Sequence, residues 1–350
     1  MRKSFMILIV VLAALASITL AQAPSTGPYK VLKTVKVGGI GGFDYVNADS
    51  AARRLYVARS GQGSRITVWN LDTLESAGEI PMVTAHGVAI DPKSGHGFAS
   101  SKPITMFDTK TLATIKTIEV GGAPDGLLFD PYNSRVHVLS HIPPYDTVIN
   151  TADGTVAGTI DLGGQPEQAA SDGNGKIYVD IEDKASIAVV DAKTMMVTGK
   201  YDLTGSGGTC AGLALDNKNH ILFANCRNPA NMVVLNAKDG KIITTFPIGT
   251  GTDGAVFNPS TMEAFSSQGD GTLTIIKENS PTSFDVEQTV QTKPRAKTCT
   301  LDAKNNQIVL ITTEPAPAGS DGAATPPPAT EQPGTELAEA KDLHPRPNGK

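Results

Sequence analysis

The sequence predicts an all-β fold, a seven-bladed β-propeller of four-stranded antiparallel blades, and three observations carry that prediction. One motif recurs seven times at a period of about 42 residues. Each copy holds four short β-branched runs separated by Gly, Pro, Asn and Asp clusters. A lone N-terminal strand precedes the first copy, and only the last copy can take it up.

The recurring motif is an apolar triplet followed by Asp or Asn and a turn. Its marker residues are Asp49, Asp91, Asp130, Asp172, Asp216, Asn258 and Asp302, at intervals of 42, 39, 42, 44, 42 and 44 residues. A four-stranded sheet has two faces to bury, and radial stacking lets each neighbour cover one. In the second copy the strands, lettered a to d from the channel outward, read Gly87 to Ile90, Gly97 to Ser100, Ile104 to Phe107 and Thr114 to Val120. The third strand is equally plain at Ile66 to Trp69, Ile187 to Val190 and Met232 to Leu235. Trp69, the only tryptophan, therefore reads as blade packing.

Arg2 and Lys3, the apolar run Met6 to Leu15 and the small residues that follow have the layout of a secretory signal peptide over 1–21. Cleavage is expected after Ala21, because the alternative after Ala23 would leave Pro24 at the first mature position; an uncleaved anchor is the other reading. No later segment offers the ~18 apolar residues a membrane span needs. Residues 22–28 form a short extension. Tyr29 to Val37 resembles a fourth strand without its first three, and should complete the last blade, whose own first strands are Lys297 to Leu301 and Ile308 to Thr312. The propeller is thus expected over 29–313. Residues 314–350 read as a disordered tail, since 8 of the 23 prolines fall within 315–350 with few large apolar side chains. No third strand is visible there, so the seventh blade is expected to have three strands.

The chain carries 30 Lys+Arg against 35 Asp+Glu. Removing Arg2 and Lys3 with the signal leaves 28 against 35, a net of −7. With 5% aromatic residues, that balance argues against a nucleic-acid partner. There is no Cys-x-x-Cys-His, His-Glu-x-x-His, Gly-x-Ser-x-Gly or phosphate-loop pattern. The glycine runs at 38–42 and 205–208 have no helix after them and fit tight passages between blades.

Several motifs together resemble the YncE-like, YVTN-repeat family of exported bacterial propellers. They are Phe43-Asp44-Tyr45 with Arg53-Arg54-Leu55-Tyr56-Val57, His86-Gly87-Val88, Pro124-Asp125, and Gly163-Gly164-Gln165-Pro166-Glu167 with Asp172-Gly173. Gly212 to Asp216, Cys226-Arg227-Asn228 and Gly269 to Thr274 complete the set. The resemblance spans about Tyr29 to Thr313 and implies a seven-bladed exported protein for which no general enzymatic reaction is established. Relatives on other propellers bind metals, quinones or lactones. Members usually end on an apolar strand, whereas this chain ends His344-Pro345-Arg346-Pro347-Asn348-Gly349-Lys350.

Five positions before each marker stands the residue that opens strand a: Asp44, His86, Asp125, Glu167, Ala211, Asp253 and Lys297. In a propeller these side chains should ring one mouth of the channel. Carboxylates with a histidine can hold a divalent cation or a cationic ligand; equally, such groups can serve only to satisfy loop backbone and channel water. The loops after the second strands add a rim of His141, Glu182, Asp183, Arg227, Asn228 and Gln268.

The function expected is a non-catalytic binding or scaffold role in the periplasm or outside the cell, as a monomer with a small molecule or protein at the mouth. The alternative is a metal-dependent lactonase or lyase holding a divalent cation on the carboxylate ring, with His86 as general acid/base. Hairpin arithmetic adds a disulfide. With the turn of the fifth copy centred on Lys218, residues whose numbers sum to 436 face one another, which pairs Cys210 with Cys226. Cys299 is left as a buried core residue.

Overall fold

The marker residues turn the chain through their side chains. In a computed structural model describing residues 26–39, 41–82, 84–314 and 335–340, Asp49 accepts the Ala52 N–H at 2.9 Å, Asp91 that of Lys93 at 2.9 Å, and Asp216 that of Lys218 at 2.9 Å. Asn258 and Asp302 do the same for Ser260 and Lys304. Such side-chain turns hold the hairpin between the first two strands of a blade, which is why Asp or Asn returns at each period.

After β1 (Val31–Lys36), the first blade is β2 (Val46–Asp49), β3 (Arg54–Arg59), β4 (Arg65–Asn70) and β5 (Ser76–Pro81). The second is β6 (Val88–Asp91), β7 (His96–Ala99), β8 (Ile104–Asp108) and β9 (Thr114–Ile118). The third is β10 (Pro124–Asp130), β11 (Arg135–Ser140), β12 (Asp146–Asn150) and β13 (Val156–Ile160). The fourth is β14 (Pro166–Ser171), β15 (Lys176–Ile181), β16 (Ser186–Asp191) and β17 (Met196–Asp202), with a single 3-10 turn at Glu182–Lys184. The fifth is β18 (Cys210–Asp216), β19 (Ile221–Arg227), β20 (Ala230–Asn236) and β21 (Ile242–Pro247). The sixth is β22 (Thr252–Asn258), β23 (Glu263–Gln268), β24 (Thr272–Ser280) and β25 (Ser283–Gln291). The last gathers β26 (Thr298–Asp302), β27 (Gln307–Thr313) and β28 (Thr335–Ala340) with β1.

All seven sheets are antiparallel and four-stranded. The seventh blade departs from the three-strand expectation. β28 pairs with β27 from Ile308↔Ala340 to Thr313↔Thr335, and with β1 on its other side. The segment 314–350 therefore contains a strand. Two unpaired edges, β27 and β1, offer a slot that a locally weak strand former can fill. The strand expected over Tyr29 to Val37 is shorter, and Tyr29 leaves it to enter the blade six side of the joint. Its backbone pairs with the Gln288 side chain at 2.9 and 2.8 Å, its hydroxyl donates to Glu263, and its ring meets Phe265 edge-on at 5.5 Å.

The core is divided among the joints between blades, seven apolar clusters for seven joints. At the closing joint Val309 and Ile311 of blade seven meet Leu55, Val57, Trp69 and Leu71 of blade one. A fully buried side chain of this size contributes about 2 kcal/mol, so each joint holds by many small terms rather than one. Arg53 adds a two-pronged ion pair across that joint, 2.6 Å from each oxygen of the fully buried Asp302 carboxylate.

Cys210 and Cys226 are joined by a disulfide, and Cys299 is free and buried. The hairpin reaches this pairing by a different route from the simple arithmetic. From Asp216↔Ile221 to Gly212↔Asn225 the facing numbers sum to 437, and a bulge between Cys210 and Gly212 shifts the register so that Cys210 faces Cys226. The signal peptide expected over 1–21 lies outside the described residues. Among the described residues, no helix is long and apolar enough to cross a membrane.

Candidate functional site at the channel mouth

The ring side chains reach the mouth through a repeated irregularity. In blades three to six the register between the first two strands shifts between Pro124 and Leu127, Pro166 and Ala169, Cys210 and Gly212, and Thr252 and Ala255. A bulge inserts an extra residue and re-aims its side chain. The inserted positions include Asp125, Glu167, Ala211 and Asp253. Immediately after the ring residue the strands crowd the axis, and glycine is common there. A Cβ on Gly126 would lie 2.7 Å from the Glu167 carbonyl oxygen, and one on Gly212 would lie 2.8 Å from the Gly254 carbonyl carbon.

Three of the throat positions, Tyr45, Gln168 and Thr298, carry side chains instead, and the first two cross the channel. Gln168 accepts the N–H groups of Leu213 and Ala255 at 2.9 and 3.0 Å, tying the first strands of blades four, five and six together. Tyr45, from blade one, donates its hydroxyl to Glu167 Oε2 at 3.0 Å. Beneath lies a cavity of about 580 Å³, lined by Tyr45, Asn47, Glu167, Gln168 and Thr300 and reaching Asp49 near the opposite end.

Around the mouth the charged groups form a continuous chain of contacts. His86 Nδ1 lies 2.7 Å from Asp44 Oδ2 and 3.4 Å from Asp125 Oδ1. His141 Nε2 lies 3.4 Å from Asp125 Oδ2 and 3.6 Å from Glu167 Oε1. Arg227 Nη1 lies 4.0 Å from Glu167 Oε1, and Arg227 pairs with Glu182 at 2.6 Å and with Asp253, which also pairs with Lys297. Ala211 contributes no charge, and Arg227 at the end of β19 supplies the link through blade five. Five carboxylates thus face two permanent cations and two histidines.

Crowded, half-dry carboxylates hold their protons more tightly. Burial, then the charge of Asp44, pushes the Asp125 carboxyl up to about 6, although His141 and His86 pull it back. Burial and the neighbouring Asp125, Asp253, Asp180 and Glu182 push Glu167 up to about 9. The hydrogen bond to Asp44 raises His86, against the opposing effect of burial. Burial, followed by Glu167, Asp125, Asp253 and Asp44, raises the Tyr45 phenol. Burial also works against the Arg227 charge, but Asp253, Glu167 and Glu182 outweigh it.

Of the rim residues, His141, Glu182 and Arg227 join this network. Asp183 instead accepts the Gln165 N–H at 2.8 Å and pairs with Lys184. Asn228 sits in the turn between β19 and β20, its N–H on the Gly208 carbonyl. Gln268 is buried within blade six, bonded to Ser266 and Thr272. Tyr45 was not among the residues expected at the mouth. Its place in Phe43-Asp44-Tyr45, directly after a ring residue, was the available signal, but a reach from blade one to blade four requires the closed ring.

No family model and no curated protein matches the chain. Among solved structures it is similar to a chain of the crystal structure of the mitotic checkpoint complex, at 12% identity and a TM-score of 0.71, covering 98% of this chain and 100% of that one. That likeness shows the fold. The chain is a β-propeller.

Proposed function

We propose that the chain is an exported binding or scaffold propeller of the YVTN-repeat kind, at work in the periplasm or outside the cell, and that a positively charged small molecule or protein segment docks at the acidic mouth. The observation that carries this reading is the chain of contacts from Asp44 to Lys297, its Glu167–Arg227 link at 4.0 Å, in which five acidic side chains face two permanent cations. Even with the Glu167 carboxyl protonated, pushed up as it is to about 9, the four other acidic groups outnumber the two permanent cations, so the ring attracts cations, and the low-dielectric walls of a channel focus the field.

Thermal melting with spermidine and with a lysine-rich peptide as probes tests it. Both should raise the melting temperature of the wild type, less so at high salt. The combined variant Asp44→Asn, Asp125→Asn, Glu167→Gln, Asp253→Asn should lose the response and keep the fold. A response that survives in this variant overturns the reading.

A metal-dependent lactonase or lyase is the second reading, favoured by two groups in which carboxylates and a histidine converge: Asp44, His86 and Asp125, and Asp125, His141 and Glu167. Turnover of a simple lactone, abolished by His86→Gln, would favour it over the binding role.

A further inference from the structure

We propose that Asp125, His141 and Glu167 form a three-ligand site for one divalent first-row transition ion, of which Zn²⁺ is the reference case. The proposal shares the mouth with the reading above and adds a resident ion to it. One ligand atom from each of the three residues lies within 4.8 Å of the others.

Distances separate this triad from its neighbour. Two ligands of a tetrahedral ion with bonds of about 2.0–2.2 Å sit about 3.3–3.6 Å apart. His141 Nε2 stands 3.4 Å from Asp125 Oδ2 and 3.6 Å from Glu167 Oε1, the spacing of ligand edges rather than of hydrogen bonds. In the adjoining triad, His86 Nδ1 and Asp44 Oδ2 are 2.7 Å apart. That is a completed hydrogen bond, too close for two ligands of one ion.

The inward atoms make no hydrogen bond of their own among the described residues, although Glu167 Oε1 also stands 4.0 Å from the Arg227 guanidinium. His141 Nε2 is shielded from solvent and makes no hydrogen bond among the described residues. The Glu167 side chain is only 8% exposed, and among the described residues the one hydrogen bond it accepts falls on Oε2, from Tyr45. A polar atom left unpaired in such a place costs stability unless something fills the gap.

The remaining oxygens are held from outside, as metal-ligating carboxylates commonly are. Glu167 Oε2 takes the Tyr45 hydroxyl at 3.0 Å, and Asp125 Oδ1 faces His86 at 3.4 Å, with His86 in turn anchored on Asp44. Each carboxylate therefore has one oxygen facing an outer group, hydrogen-bonded in Glu167 and only at ion-pair distance in Asp125, and one turned toward His141. One imidazole with two carboxylates suits a borderline ion, whereas Ca²⁺ and Mg²⁺ prefer six or more oxygens. Three protein ligands leave a coordination position open to the mouth.

The test is ion binding by the mature chain purified without a histidine tag, stripped with chelator and dialysed against Zn²⁺. Metal analysis should find one ion per chain, and calorimetry should show Zn²⁺ bound far more tightly than Ca²⁺ or Mg²⁺. His141→Gln should weaken binding by more than the roughly 10–100-fold expected for loss of an outer partner such as Tyr45 in Tyr45→Phe. Asp183→Asn, outside the network, should bind as the wild type does. Circular dichroism keeps misfolding apart from lost ligation, and His141→Asn provides a second variant. Absence of a stoichiometric ion in the wild type, or undiminished binding in a folded His141 variant, overturns the proposal. If the spermidine response persists in that case and still depends on the carboxylates, the metal proposal falls alone; if both vanish, the mouth is not the binding face.

Discussion

The hydroxyl of Tyr45 on blade one donates to Glu167 on blade four, 122 positions along the chain and across the channel. Both residues also line the cavity below the charged mouth, so one bond braces the ring where the mouth meets that cavity.

Tyr45→Phe removes the donor while keeping the ring packed against its surroundings. The expected cost is about 1–3 kcal/mol in urea unfolding, the penalty for a shielded acceptor left without its partner. An unchanged midpoint would mean that water replaces the hydroxyl freely.

A chain ending at residue 334 lacks β28. β27 and β1 then face each other across an empty strand position, so β1 loses its ladder and the closing joint weakens. The expected outcome is a lower melting temperature with a broader transition, and faster cleavage by protease near β1. Retention of the full melting temperature would show that β28 adds nothing to closure.

Thiol titration of denatured, unreduced protein should count one free thiol, that of Cys299. Replacing Cys210 and Cys226 together with Ser should cost about 3 kcal/mol, since the bond closes a loop of 16 residues of sequence separation. Three free thiols in the air-oxidised protein would refute the pairing.

Glu287, on β25, faces Glu263 on β23, Lys277 on β24 and the phenol of Tyr29. Burial, then a hydrogen bond shared with Glu263 and its charge, pushes Glu287 up to about 7. A carboxyl whose folded pKa lies above the unfolded value of about 4.3 binds its proton more tightly in the native state. Its contribution is complete at lower pH and is lost as pH rises through about 7. Glu287→Gln should therefore melt closer to the wild type at pH 5 and above it at pH 8. Parallel pH profiles for the two proteins would rule this out.

Much of this architecture was legible along the chain because its causes are local. A marker Asp bonds an N–H two or three residues on, alternating apolar runs form strands, and the repeat length sets the blade. The ring positions followed from the same periodicity, since each opens the first strand of its blade. The sequence could not show that Arg227 takes over where Ala211 is neutral, nor that Asp183 and Asn228 turn to local partners, because those outcomes depend on which side chains meet in the assembled mouth.

By itself, the sequence determined the all-β class, the seven repeats and the residues at the head of each first strand. Tertiary structure decided the rest. The segment Thr335–Ala340, whose Glu, Leu and Ala residues intrinsically favour helix, is a strand because two open edges receive it. Cys210 faces Cys226 because a bulge moves a 437 register to 436. The contact of Tyr45 with Glu167 exists only when the ring closes. Local hydrogen bonds and alternation act over a few residues and can be read in order, whereas these pairings join atoms that come together only after the blades have packed.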